Sequence, residues 1–205
     1  MLDRVLRRWI DPPLHRAGGW LAARGVSANA LTLGGLAVGL LSVPLLAAGH
    51  YTAALAAILL NRLFDGLDGA VARQGHPTAF GGYLDIFCDM VFYAAVPVGF
   101  ALGQPGNAIW AAILLASFVS TCASFLGRAV LAAQRGESDE GRRGAKSFFH
   151  AAGLMEGTET ILAFVLFCLL PSAFPWLAGI VALLCFWTAG ARVVDAWSIG
   201  TDSRF

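Results

Sequence analysis

Long apolar segments separated by short polar turns dominate this sequence. Each approaches the length of about 20 residues that an α-helix needs to cross the hydrocarbon core of a bilayer. The pattern therefore predicts an all-α membrane protein with six transmembrane helices. The predicted spans cover residues 29–48, 52–73, 81–102, 109–131, 148–170 and 176–197.

A different pattern precedes the first span. Between residues 2 and 16, apolar side chains recur at helical spacing with arginines between them, which predicts an amphipathic helix lying on the membrane surface. Pro12 and Pro13 are expected to end this helix. A disordered basic arm is the alternative. The apolar positions are Leu2, Val5, Leu6, Trp9 and Ile10.

Composition and charge placement add a compartment and an orientation. Only 13% of the residues are charged, against about 25% in a typical soluble domain. The turns at 49–51, 103–107 and 171–175 contain none of the 14 lysines and arginines. Because basic residues accumulate on the cytoplasmic side, we expect a multi-pass inner-membrane protein with both termini in the cytoplasm. No nucleic-acid partner is expected.

The domain organisation follows from the same patterns. We expect residues 1–26 to form an N-terminal juxtamembrane amphipathic segment and residues 27–205 to form one six-helix membrane domain. The turn at 74–80 would face the cytoplasm.

Four carboxylates beside that turn carry the candidate chemistry. Asp65 and Asp68 are spaced i,i+3, and Asp85 and Asp89 are spaced i,i+4, so each pair lies on one face of a helix. In apolar surroundings these carboxylates repel one another and resist leaving water. Two such faces meeting across a turn would make a cage of oxygen ligands. We expect Mg²⁺ or Mn²⁺, with two ions balancing the cluster.

The residues between the two pairs suit a phosphorylated ligand. Gly69 and Ala72 have little or no side chain, so a nucleotide can approach the helix backbone closely. Arg73 can make charge-assisted hydrogen bonds to a phosphate. The alternative for the carboxylates is an ion or proton pathway, since intramembrane carboxylates usually mark a function of some kind.

The stretch from 65 to 89 resembles the signature of the CDP-alcohol phosphotransferases, D-x-x-D-G-x-x-A-R followed by G-x-x-x-D-x-x-x-D. The six-span layout with an N-terminal surface helix is similar as well. The resemblance implies a phospholipid-synthesis enzyme that transfers a phosphatidyl or other substituted phosphoryl group from a CDP-linked donor such as CDP-diacylglycerol to a small alcohol, releasing CMP. It also implies a homodimer in contact with membrane lipids. The matching positions are Asp65, Asp68, Gly69, Ala72, Arg73, Gly81, Asp85 and Asp89.

The resemblance also implies residue roles. Asp65, Asp68 and Asp85 would be the principal metal ligands, and Asp89 would share the metal site and act as the base for the acceptor hydroxyl. Residues 27–32 resemble the family's P-N-x-x-T segment, with Ala28 in place of the proline. A helix N-cap by Ser27 or Asn29 is the alternative there. The expected CDP-binding residues are Asn29, Thr32, Asp65, Gly69, Ala72, Arg73 and Gly81.

The acceptor pocket is expected from residues of the later spans. Arg128, Lys146 and Arg192 could bind an acceptor or lipid phosphate, and their alternative role is that of interfacial anchors. Glu156 and Glu159 lie on one helical face inside the fifth span. They could pair with Arg128 or Arg192, or contact acceptor hydroxyls or an ammonium group. Acidic residues facing the pocket would argue mildly against an inositol phosphate or glycerol phosphate acceptor.

Two other classes of protein are alternatives to a CDP-alcohol phosphotransferase. An aspartate-rich membrane prenyltransferase also binds a magnesium diphosphate, but its two motifs lie far apart on a longer chain. An ion or divalent-cation transporter would need a polar path across the bilayer, and the sequence shows no paired broken helices to build one.

Overall fold

The computed structural model describes residues 3–75, 77–134, 155 and 157–201, with side chains described from residue 12 to residue 197 within these ranges. The described residues contain α-helices and short 3-10 turns and no strand. The helices are α1 (Asp3–Ala22), α2 (Ala28–Leu40), α3 (Ser42–Ala47), α4 (Tyr51–Ala72), α5 (Ala79–Gly103), α6 (Ala108–Gln134), α7 (Gly157–Leu169) and α8 (Phe174–Thr201).

Four helical segments of the described chain are long and apolar enough to cross a membrane. They are Ala28–Ala47, Ala79–Gly103, Pro105–Gln134 and Pro171–Trp197. These correspond to the first, third, fourth and sixth predicted spans. Helix α4 has 22 residues, but its charged residues lower its hydropathy. Helix α7 is a shorter apolar helix of 13 residues. The all-helical fold is therefore confirmed, and four of the six spans have the expected character.

Local side-chain chemistry explains where the helices around the site begin and end. The Ser27 hydroxyl accepts a hydrogen bond from the Ala30 amide at 3.2 Å and caps α2, while Thr78 caps α5 by accepting from the Gly81 amide at 3.0 Å. The first span is interrupted, since α2 ends at Leu40 and α3 follows. Pro44 has no N–H to donate to the carbonyl of Leu40, which accounts for the break.

Helix α1 differs from its prediction. Pro12 and Pro13 lie inside the helix, so the prediction that they end it is wrong. Packing on α4 explains why the helix continues: a Cβ atom added at Gly18 would lie 2.6 Å from the Ala70 Cβ, and one added at Gly66 would lie 2.8 Å from Leu14. Such close contacts offset the hydrogen bonds that two prolines remove. The amphipathic pattern itself falls on side chains outside the described residues and stays a prediction.

The chain divides into two compact units. The first comprises Met1–Ala108 with Phe164–Pro171, and the second comprises Ile109–Ala163 with Ser172–Phe205. In the first unit, α4 packs against α1, α2 and α3, and α5 packs against α2 and α3. In the second, α6 and α8 meet closely, since a Cβ atom at Gly179 would lie 2.9 Å from the Trp110 ring. All four aspartates of the predicted cluster belong to the first unit.

The core of the first unit is aromatic. Phe92 and Phe100 of α5 are almost completely buried, and each packs edge-on against a phenylalanine of α7. The ring centroids of Phe92 and Phe164 are 6.1 Å apart, and those of Phe100 and Phe167 are 5.9 Å apart. Such pairs stabilise the fold beyond the area they bury, so the half of α5 that follows the aspartates is firmly held.

Candidate active site

Two helical faces bring the predicted carboxylates together. Asp65 and Asp68 come from the last two turns of α4, and Asp85 comes from the second turn of α5. One carboxylate oxygen from each of these residues lies within 4.8 Å of the other two. The i,i+3 spacing on α4 therefore has the predicted consequence, because both aspartates of α4 face α5.

The three carboxylates suit a hard divalent cation. Two oxygen ligands on opposite sides of one ion are about 4–5 Å apart, since each metal–oxygen distance is about 2.0–2.6 Å. The observed spacing of up to 4.8 Å matches this requirement. All of the donors are oxygens, the type that Mg²⁺ and Mn²⁺ prefer. Asp65, Asp68 and Asp85 would therefore hold such an ion with little rearrangement.

Asp68 is oriented by helix α2. Its side chain is buried, with 6% of the residue surface exposed, and its Oδ2 accepts a hydrogen bond from the Thr32 hydroxyl at 2.6 Å. The same hydroxyl lies 3.1 Å from the carbonyl of Ala28. A short hydrogen bond to a charged acceptor is strong, so Thr32 fixes the direction of one carboxylate. The sequence analysis expected Thr32 at the nucleotide end of the site, but it did not predict the hydrogen bond to Asp68.

Asp89 has an arginine as its closest charged partner. Its Oδ1 forms a salt bridge with Nη2 of Arg62 at 2.7 Å, whereas Oδ2 of Asp65 lies 3.7 Å from Nη1 of the same arginine. A small cavity of about 10 Å³ is lined by all four aspartates and by Arg62. Asp89 therefore shares the site, and Arg62 lies closer to it than to Asp65.

Asn61 is a site residue that the sequence analysis missed. It is buried, with 4% of its surface exposed, and its amide donates to the carbonyl of Gly35 in α2 at 2.8 Å. Its Oδ1 accepts from Nε and Nη2 of Arg62 at 2.8 Å and 2.6 Å. A polar residue inside an apolar run, directly before an arginine, was the available signal.

A groove of about 430 Å³ adjoins the carboxylates. This volume lies within the range of about 300–1,000 Å³ that small-molecule sites occupy. Asp65 is absent from its walls and faces the small cavity instead. Of the residues expected to bind CDP, those that line the groove are Asn29, Thr32, Gly69, Ala72 and Gly81, and they stand beside Asp68 and Asp85.

Arg73 directly follows the last residue of α4, is exposed and does not line the groove. Its Nη1 lies 3.2 Å from the position that a Cβ atom at Gly69 would take. Any side chain at position 69 would therefore crowd the guanidinium, which gives this glycine a local role besides access to the backbone.

The residues expected at the acceptor pocket lie in the second unit where they are described. Nε of Arg128 is 3.6 Å from Oδ2 of Asp195, a partner that the sequence analysis did not consider. Nη1 of Arg192 donates to the carbonyl of Thr121 at 3.4 Å. Glu159 is half-buried in the first turn of α7. Lys146 and Glu156 lie outside the described residues.

Comparison with known proteins identifies several similar sequences. An inner membrane protein of Escherichia coli, YnjF, is similar to this chain, with 50% identity over 199 residues that cover 97% of this chain and 95% of YnjF. Archaetidylinositol phosphate synthases of Pyrococcus horikoshii and Methanothermobacter thermautotrophicus are 35% and 34% identical over 104 and 100 residues. These two alignments cover 50% and 48% of this chain and 55% and 48% of the relatives.

The sequence model of the CDP-alcohol phosphatidyltransferases matches residues 25–189. This region includes α2, α4 and α5, and with them every side chain of the aspartate site described above. The chain belongs to the CDP-alcohol phosphatidyltransferase family.

Proposed function

We propose that this protein transfers a phosphatidyl or other substituted phosphoryl group from a CDP-linked lipid donor, such as CDP-diacylglycerol, to an alcohol and releases CMP. The observation that carries the proposal is the position of three carboxylates, within 4.8 Å of one another, next to a groove of about 430 Å³. A diphosphate in that groove would be repelled by bare carboxylates. Divalent cations held by Asp65, Asp68 and Asp85 would neutralise it and polarise its phosphoryl oxygens.

The chain's own groups supply the other parts of the chemistry. The groove beside Asn29, Gly69 and Gly81 has room for the nucleotide. Arg73 follows the groove-lining residue Ala72 and can donate hydrogen bonds to a phosphate. The acceptor hydroxyl must lose its proton as it attacks phosphorus. Asp89 is the proposed base, because its carboxylate lines the same cavity as the metal-binding residues and stays outside the cluster of three.

The acceptor is the open part of the proposal. Two relatives are named archaetidylinositol phosphate synthases, which makes inositol phosphate a candidate. The acidic residues Glu156 and Glu159 favour an acceptor without a phosphate. Arg128 and Arg192 are the proposed contacts for a phosphorylated acceptor or a lipid phosphate.

The proposal includes a location and an assembly. We propose a six-span protein of the inner membrane in which α4 and α7 supply the second and fifth spans. The relative YnjF is named an inner membrane protein, and the placement of basic residues puts both termini and the aspartates on the cytoplasmic side. A homodimer is proposed from the family resemblance.

The test is an assay of the purified protein with Mg²⁺, CDP-diacylglycerol and a panel of alcohols, in which CMP is measured. The panel contains glycerol 3-phosphate, serine, inositol, inositol phosphate and an amino alcohol. We expect CMP release with one of them, loss of release on chelation and recovery with added Mg²⁺. Asp89→Asn should lower kcat by about 10²- to 10⁴-fold, the usual contribution of a general base.

The same assay separates the alternatives. A transporter would carry divalent cations across proteoliposomes without any release of CMP, and a prenyltransferase would consume a prenyl diphosphate. Either result, with no CMP from any alcohol of the panel, would refute the proposed function. The thermal unfolding temperature of Asp89→Asn should equal that of the wild-type protein, which would show that its loss of activity does not come from misfolding.

A further inference from the structure

One arginine stands at the boundary between the metal cluster and the proposed base. Arg62 precedes Asp65 by one helical turn of α4, so both side chains point towards α5. Its Nη2 is 2.7 Å from Oδ1 of Asp89, and its Nη1 is 3.7 Å from Oδ2 of Asp65. The guanidinium therefore lies within reach of both the last aspartate and the first.

The guanidinium is fixed by groups other than carboxylates. Both Nε and Nη2 donate to the Asn61 side chain, and Nη1 lies 3.4 Å from the Tyr93 hydroxyl. Its central carbon lies 4.8 Å from the centroid of the Phe92 ring and 5.4 Å from that of the Tyr93 ring. Only 16% of the Arg62 side chain is exposed. These contacts hold the guanidinium in one position beside Asp89.

Asn61 extends this support to a third helix. Its amide donates to the carbonyl of Gly35, and a Cβ atom at Gly39 would lie 2.9 Å from its Nδ2. Helix α2 therefore sets the place of Asn61, Asn61 sets the place of Arg62, and Arg62 sets the place of Asp89. Each step is a hydrogen bond between buried or half-buried groups. Such hydrogen bonds are strong when one of the two groups is charged.

We propose that Arg62, oriented by Asn61, is a positioning residue that fixes the Asp89 carboxylate beside the three metal-binding aspartates and directs it to the acceptor. The inference rests on the proposed function, in which the Asp89 carboxylate must be free to accept the proton of the acceptor hydroxyl. Without the arginine, four carboxylates would compete for the same cations. The role belongs to Arg62 because its fork reaches two groups at once, which a lysine cannot do.

Two measurable consequences distinguish positioning from a general structural role. Arg62→Gln should lower kcat by about 10- to 100-fold, as expected for loss of a charged hydrogen bond. The KM for the CDP-linked donor should stay within about threefold, since the arginine does not line the groove. Arg62→Lys should recover part of kcat, because a point charge still pairs with Asp89.

The second consequence concerns binding of metal alone. Removing a positive charge 3.7 Å from Asp65 makes the cluster more negative. Arg62→Gln should therefore bind Mn²⁺ about three- to tenfold more tightly than the wild-type protein, while its kcat is lower. The measurement is Mn²⁺ titration of the purified protein followed by electron paramagnetic resonance, and it needs no turnover.

Matched variants control for charge and for folding. Arg24→Gln removes the same charge at an exposed residue that contacts Trp20, and it should change neither kcat nor Mn²⁺ affinity. Asn61→Ala should lower kcat in the same direction as Arg62→Gln. Asn107→Ala truncates another buried asparagine, one that donates to the Phe100 carbonyl, and it should leave kcat unchanged.

The outcomes separate this inference from the function on which it rests. A wild-type protein that releases no CMP refutes the proposed function, and the positioning role falls with it. If the wild type is active, the inference alone is overturned by a kcat within twofold of wild type in Arg62→Gln, by a raised donor KM at unchanged kcat, or by weaker Mn²⁺ binding. If Arg62→Gln fails to fold, Arg62→Lys and Asn61→Ala test the inference in its place. A kcat equal to that of the wild type in both variants would overturn it.

Discussion

A single hydroxyl connects the first membrane helix to the aspartate cluster. Thr32 was expected at the nucleotide end of the site because residues 27–32 resemble the family's P-N-x-x-T segment. In the structure it lines the groove and also donates to Asp68 at 2.6 Å. Groups that orient metal ligands in this way contribute to metal affinity without touching the ion.

Replacement of Thr32 by valine keeps the shape of the side chain and removes the donor. We expect Thr32→Val to weaken Mn²⁺ binding by about 10- to 100-fold, the usual effect of losing such a partner. Titration of Mn²⁺ measures the change. Thr121→Val is the matched control, since its hydroxyl donates to backbone carbonyls of the second unit, away from the aspartates. Equal affinities for Thr32→Val and the wild-type protein would contradict the role.

At the scale of elements, the helix that carries two of the aspartates rests on α1. A Cβ atom added at Gly18 would lie 2.6 Å from the Ala70 Cβ of α4, whereas one added at Gly19 would come no closer than 3.6 Å, to the end of the Gln74 side chain. The packing explains why α1 passes through two prolines, and it ties the N-terminal segment to the position of α4.

Two neighbouring substitutions test this contact. Gly18→Val would place atoms inside contact distance of the Ala70 backbone, and we expect it to lower the free energy of unfolding by about 1–3 kcal/mol. Gly19→Val carries the same change in helix propensity but meets a flexible side chain, so it should have a smaller effect. Thermal unfolding in detergent compares the two. A larger loss for Gly19→Val would show that α1 packs differently.

At the scale of the whole molecule, the proposed orientation puts opposite turns on opposite sides of the membrane. Ser172 lies in the 3-10 turn Pro171–Ala173 and is exposed. Gly75 lies in the turn before α5 and has open space around its Cα. Six spans with cytoplasmic termini would place Ser172 outside and Gly75 inside.

Cysteine labelling tests this arrangement. Cys88, Cys168 and Cys185 are buried, so replacing the half-buried Cys122 by serine leaves a background of low reactivity. In intact cells, a membrane-impermeant maleimide should label Ser172→Cys at once and Gly75→Cys only after permeabilisation. The reverse order would overturn the orientation, and labelling of both from outside would place the two turns on one side.

Much of this protein could be predicted from the order of its residues alone. Apolar runs of membrane length determine helices, so the bounds of α5, α6 and α8 lie close to the predicted spans. Helical periodicity determines which residues share a face, so Asp65 and Asp68 were expected to point the same way. The family signature lies within one continuous stretch, and it needed no tertiary information.

Only the tertiary structure decided how the four aspartates are divided. Periodicity does not set the rotation of one helix against another, which depends on side chains that interlock across α2, α4 and α5. That packing brings Arg62 to Asp89, Asn61 to Gly35 and Thr32 to Asp68. It also carries α1 through Pro12 and Pro13, because contacts with α4 outweigh a local preference. The sequence specifies the four aspartates, and the packing of the helices decides which residues contact them.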